Sequence, residues 1–139
     1  MQSDAHRDNM YLSYQGGVFL DKEIMRGSID ILLLSLVNTR DMYGYEMVKE
    51  LKVSSHELYN MSEGTLYPAL KRLENKNWLH SYWSEADNNA RRKYYRITED
   101  GKKELTRKLQ EWQKVDSLIK LCSEGMTWIK ISKPMLTKL

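Results

Sequence analysis

Residues 61–98 read MSEGTLYPALKRLENKNWLHSYWSEADNNARRKYYRIT, and a change of period inside this stretch decides the fold. In its first half Leu66, Leu70 and Leu73 recur at helical spacing and give one apolar edge. Ser62 stands where a hydroxyl accepts from the free amides of a helix start, and Glu63 places a carboxylate at the positive end of the helix dipole. Pro68 comes early, so it removes an amide only where the hydrogen-bond ladder is beginning. After Asn77 the period becomes two. Leu79, Ser81 and Trp83 share one strand face, and Lys93, Tyr95 and Ile97 share another. The polar run Glu85 to Ala90 joins them into a β-hairpin with a basic return strand.

Toward the amino terminus, Ile24, Met25, Ile29, Leu32, Leu33, Leu36 and Val37 fall three and four apart, which predicts one largely buried helix from about Lys22 to Val37. Asn38 to Met42 is a polar break. Tyr43, Met47 and Leu51 then predict a short second helix with Glu46, Lys49 and Glu50 on its wet face. Toward the carboxy terminus, Thr98 is a predicted cap with Glu99 and Asp100 in the first turn. Leu105, Leu109, Trp112, Val115, Ile119 and Cys122 follow in one long amphipathic stripe that requires a partner. The expected organisation is an amino-terminal arm over 1–21, a winged helix-turn-helix over 22–98, a dimerisation helix over 99–123 and a tail over 124–139. The fold class is mainly α with a small β-hairpin.

The 139 residues hold one ordinary domain and one appended helix, not two independent cores. Hydrophobic residues make up 41% and charged residues 29% of the chain. The longest apolar stretch, Ile29 to Val37, is broken by Asp30 and Ser35, far short of the roughly 18 residues that cross a bilayer. A net charge of +3 permits a nucleic-acid partner without demanding one, so the placement of charge must decide. The lone Cys122 excludes an intrachain disulfide, and the first residues lack the order of a secretory signal, so a cytoplasmic location is expected. His6, His56 and His80 are widely separated, and no Gly-rich phosphate loop occurs. Neither an enzyme nor a metal or other cofactor is expected.

Three short helices followed by a hairpin is the order of a winged helix-turn-helix, whose third helix enters the major groove while the hairpin lies on the backbone. In the hairpin Arg91, Arg92, Lys93 and Arg96 cluster beside Tyr94 and Tyr95, a combination suited to phosphate. The competing reading is a solvated basic strand that discourages edge pairing. On the third helix Ser62, Gly64, Thr65, Tyr67, Lys71 and Arg72 offer hydroxyls, a bared backbone and cations, with helix capping an equal reading for Ser62. Double-stranded DNA is the expected partner. A winged-helix protein-interaction module without sequence-specific DNA binding is the alternative, and the basic wing argues against it.

The stretches Met61 to Glu74 and Arg91 to Thr98 together resemble the PadR family of transcriptional regulators, and the resemblance runs from about Lys22 to Cys122. It implies a repressor whose homodimer reads a palindromic operator, often with ATGT and ACAT half-sites. The single long carboxy-terminal helix is similar to the compact subgroup of that family. Within it, Glu111-Trp112-Gln113-Lys114-Val115-Asp116 resembles the segment of the lactococcal multidrug-responsive member in which a tryptophan from each subunit lines a flat pocket. The resemblance implies that Trp112 stacks on a planar hydrophobic or phenolic effector and that Asp116 meets a cationic one. Simple filling of the dimer interface by Trp112, alongside Leu105, Leu109, Val115 and Ile119, is the competing reading.

Overall fold

The computed structural model describes residues 20–85 and 90–124, so the arm and tail expected at 1–21 and 124–139 lie outside it apart from Leu20, Asp21 and Glu124. Two compact units divide at Leu105 and Thr106. The division falls inside the last helix, α5 (Glu99–Ser123).

The described part of the first unit opens with two helices where the apolar spacing predicts one. Helix α1 (Lys22–Arg26) is capped by Asp21, whose carboxylate accepts from the amides of Glu23 at 2.7 Å and Ile24 at 3.4 Å. It ends at Gly27, and Ser28 donates to the Met25 carbonyl at 2.8 Å in a tightened last turn. Helix α2 (Ile29–Thr39) starts afresh. Glycine costs about 1 kcal/mol relative to alanine inside a helix, and the polar Ser28 gives nothing back by burial, so the chain breaks there. Ile24 therefore stays 71% exposed instead of joining the buried stripe.

The expected polar break contains a strand. β1 (Met42–Tyr43) pairs antiparallel with the return strand of the hairpin, Met42 opposite Tyr95 and Tyr43 opposite Tyr94. Helix α3 (Gly44–Ser54) follows at once, and the Glu46 carboxylate accepts from the Tyr43 amide at 3.4 Å. Helix α4 (Glu63–Asn75) starts as its sequence predicts, with the Thr65 amide donating to the Ser62 hydroxyl at 3.2 Å. It ends at Asn75 with Lys76 as its cap, and Asn77 just beyond is left-handed with φ 63°, a conformation that asparagine adopts more readily than most. The hairpin is β2 (Leu79–Glu85) and β3 (Arg91–Ile97), and the sheet order is β1-β3-β2. Leu79 faces Ile97, Ser81 faces Tyr95 and Trp83 faces Lys93.

Helices α2, α3 and α4 and the base of the sheet close over one core. Leu33, Leu34, Met47, Leu66, Leu70, Leu73 and Leu79 are its fully buried members. Thr98 caps α5 by accepting from the Gly101 amide at 2.9 Å, while its own hydroxyl donates to the Asn77 carbonyl at 2.7 Å. Leu105 inserts into the same core. In the second unit the described part of α5 is solvent-exposed: Leu109, Trp112, Val115, Leu118, Ile119 and Leu121 all stand at the surface.

Candidate nucleic-acid interface

Helix α4 presents its apolar edge to the core and its opposite face to solvent. Ser62, Gly64, Tyr67, Lys71 and Arg72 are exposed and Thr65 is half-buried. Beyond its capping bond, Ser62 donates its hydroxyl to Thr65 Oγ1 at 3.1 Å, so the capping role read from the sequence is occupied. Tyr67 lies across the start of α3. A Cβ at Gly44 would stand 3.1 Å from its ring and 3.1 Å from its hydroxyl, so the absence of a side chain at position 44 gives Tyr67 its place.

The two cations of α4 differ. Arg72 donates to the Asp30 carboxylate on α2, forming an ion pair between neighbouring helices. Lys71 has no ion pair among the described residues, which leaves its ammonium to solvent or a ligand.

The wing cations also separate. Strand alternation puts Arg91, Lys93 and Trp83 on one face and Arg92, Tyr94, Arg96 and Tyr82 on the other. On the first face the Arg91 guanidinium lies 5.1 Å over the Trp83 ring, and Lys93 approaches Glu74 of α4 at 4.0 Å. Glu74 is shared, since it also accepts from the Ser81 hydroxyl. On the second face the rings of Tyr43, Tyr94 and Tyr82 form a row, with centroids 5.5 Å and 5.8 Å apart. Arg92 closes one end: its guanidinium stands 4.5 Å over the Tyr43 ring and donates to the Tyr43 hydroxyl at 2.8 Å. Arg96 closes the other, 5.1 Å over Tyr82 and 3.2 Å from Asp41. Asp41 also accepts from the Tyr82 hydroxyl, and that hydrogen bond, followed by burial, raises the Tyr82 pKa above its ordinary 10.0. Tyr94 is thereby committed to aromatic packing, and Arg96 to a carboxylate.

Helix and wing meet at a cleft of about 400 Å3 lined by Tyr43, Tyr45, Tyr67, Trp83, Arg92 and Lys93. The sequence reading supplies Tyr67, Arg92 and Lys93. It misses Tyr43, which belongs to an unforeseen strand, and Tyr45 and Trp83, which are 62% and 58% exposed. The signal for them was the exposure itself, which no periodicity reports. The arrangement suits a flexible polyanion: cations and hydroxyls for phosphate, and apolar rings for the sugar between phosphates. Among the described residues no group of three or more His, Cys, Asp or Glu is placed to hold a metal ion, and no helix is long and apolar enough to cross a membrane.

In the second unit Trp112 is 43% exposed and Asp116 is paired with Lys120 at 2.9 Å. Of the residues assigned to a partner interface, Leu109, Val115 and Ile119 are 41%, 45% and 58% exposed, whereas Leu105, at 6%, is consumed by the core of its own chain.

Residues 33–107 match the sequence profile of the Transcriptional regulator PadR-like family. The chain is 39% identical to a transcriptional regulator from Clostridium thermocellum of known structure, with a TM-score of 0.66 over 70% of this chain and 95% of that one. A PadR family transcription regulator from Clostridium difficile is 43% identical, with a TM-score of 0.59 over 66% of this chain and 94% of its own. A transcriptional regulator of Mycobacterium tuberculosis is 36% identical over 85 residues, 61% of this chain and 76% of that protein. A winged helix whose helix α4 and hairpin converge on a cationic, aromatic cleft agrees with these likenesses, and the chain belongs to the PadR-like family of DNA-binding transcriptional regulators.

Proposed function

We propose that the protein is a cytoplasmic repressor that binds a palindromic operator as a homodimer and is released by a planar hydrophobic or phenolic effector. The observation that carries the DNA contact is the convergence of Tyr67, Arg92 and Lys93 on one cleft, with Lys71 one helical turn beyond Tyr67 on the same helix. Thr65, Tyr67 and Lys71 then serve bases and nearby phosphates, with Ser62 and Gly64 at the helix start, and Arg91, Arg92 and Lys93 anchor the wing. Arg72 and Tyr94 support these groups through Asp30 and the tyrosine row.

The exposed stripe of α5 supports the homodimer. Full burial of side chains of the size of Leu109, Trp112, Val115 and Ile119 is worth roughly 1.5–3 kcal/mol each, and with 41–58% of each still in water a second copy of the helix recovers about half of that. Two recognition helices then meet successive major grooves, about 34 Å apart. The long helix α5 directly after the wing supports membership of the multidrug-responsive subgroup, with Trp112 stacking on the effector. The Asp116–Lys120 pair is exposed and worth on the order of 0.2–1 kcal/mol, so it yields readily to a cationic ligand.

Fluorescence anisotropy with a palindromic duplex bearing ATGT and ACAT half-sites, against a scrambled duplex across a salt series, tests the reading. Tighter binding to the palindrome at two chains per duplex is expected. Absence of binding to either duplex at low salt would make this fold a protein-interaction module instead.

A further inference from the structure

The cleft between wing and α4 contains more than phosphate ligands. Tyr45 stands on the first turn of α3 and Trp83 on β2, and both rings remain largely in water although each lies beside an aromatic or cationic neighbour. Arg92, which also lines the cleft, is held by two contacts to one residue, its guanidinium over the Tyr43 ring and hydrogen-bonded to the Tyr43 hydroxyl. Tyr43 is itself fixed by its pairing with Tyr94 and by the Glu46 carboxylate at its amide. An arginine restrained in this way has lost its rotamer freedom before any ligand arrives, so less is lost on binding.

We propose that this cleft seats one sugar–phosphate segment of the bound duplex, with Arg92 taking the phosphate, Tyr43 acting as its positioning residue, and Tyr45 and Trp83 packing on the adjoining deoxyribose. The proposal rests on the DNA-binding reading and adds to it three residues on which that reading does not depend. Charge complementarity selects an anion, since Arg92 and Lys93 line the cleft with no carboxylate among its lining residues. The exposed rings select a ligand with apolar faces next to its charge, which deoxyribose supplies and a simple inorganic anion does not.

Anisotropy titrations of the full chain with one duplex across a salt series, alongside thermal melts, test the seat. Tyr45→Ala puts the best helix former on an exposed helical position and should fold normally. It should weaken binding roughly threefold with no change in salt slope, because only apolar contact is lost. Trp83→Ala should do the same. Arg92→Ala should weaken binding about tenfold and reduce the slope by about 0.9. Tyr43→Phe keeps the ring and removes the hydroxyl bond. It should weaken binding in the parent and have no effect once Arg92 is alanine, a coupling that a merely structural tyrosine would not show. Parent-like affinity for Tyr45→Ala and Trp83→Ala, with Lys71→Ala impaired, would overturn the seat while leaving the DNA-binding reading intact. Additive effects of Tyr43→Phe and Arg92→Ala would overturn the positioning role. Failure of the parent itself to bind would overturn both.

Discussion

Gly101 has the least room for a side chain of the described glycines, and Gly101→Ala measures how tightly the start of α5 is seated. A Cβ there would lie 2.2 Å from the Trp78 carbonyl oxygen and 2.8 Å from Cγ1 of Ile97. Carbon–oxygen contacts settle near 3.3 Å, so the helix must retreat by about 1 Å from the base of the wing. The obstacle is main chain and no rotamer change relieves it. The same Trp78 carbonyl accepts from the Thr98 amide at 3.0 Å, and the capping bond from the Gly101 amide to Thr98 is 2.9 Å, so the retreat strains both. Overpacking of this kind costs about 1–3 kcal/mol and a weakened hydrogen bond about 1 kcal/mol more, against a gain of about 1 kcal/mol in helix propensity. A net loss of about 1–3 kcal/mol follows, which lowers Tm by roughly 5–20 °C for a domain of this size. Circular dichroism melts read the shift. Gly27→Ala is the matched control, because nothing lies within 4 Å of a Cβ at position 27, and its Tm should hold or rise. A Gly101→Ala variant as stable as the parent would refute the close packing.

Lys71→Ala should flatten the slope of log affinity against log salt by about 0.9 and leave Tm unchanged. Arg72→Ala should chiefly lower Tm, since Arg72 is spent on Asp30; a larger slope change for Arg72 would reverse the assignment. Gly44→Val should displace Tyr67 and reduce DNA affinity about tenfold, seen by anisotropy, and undiminished affinity would remove Tyr67 from the contact. Leu70→Ala should cost about 2–5 kcal/mol in urea unfolding, and a loss under about 1 kcal/mol would place Leu70 outside the core. The Tyr82 hydroxyl is held protonated by its bond to Asp41, so the folded chain resists ionisation that the unfolded chain undergoes near 10.0. Stability from this group is full below that value and falls as pH rises past it. Tyr82→Phe should remove that part of the fall in melts from about pH 9 to 11, and superimposable pH profiles would assign it elsewhere.

Periodicity made the large elements legible. Leu66, Leu70 and Leu73 mark the buried edge of α4, the alternation through Leu79 and Ile97 gives the hairpin, and Ser62 and Thr98 cap the helices they precede. Each of these signals is local, carried by residues within a turn or a strand of one another. What was illegible depends on distant partners. Two residues cannot display an alternation, and β1 exists because Tyr94 and Tyr95 lie beside it. The break at Gly27 was legible only as a weak propensity inside a convincing stripe, and the stripe misled because Ile24 is not buried.

The site divides in the same way. The sequence places four basic residues on one strand and invites them to be counted together, yet strand geometry sends Arg91 and Lys93 to one face and Arg92 and Arg96 to the other. Their partners then give them different work. Arg96 is neutralised by Asp41 and Lys93 is within reach of Glu74, while among the described residues Arg92 meets the neutral Tyr43 and Arg91 the Trp83 ring. A tyrosine orients a guanidinium without cancelling its charge, whereas a carboxylate does both. For a protein whose net charge is only +3, the wing cations not paired with a carboxylate matter more to a polyanion than the total. Among the wing arginines, affinity and salt dependence should therefore follow Arg91 and Arg92 more closely than Arg96. An Arg96→Ala variant that lost as much salt slope as Arg92→Ala would show that pairing with Asp41 does not survive DNA binding.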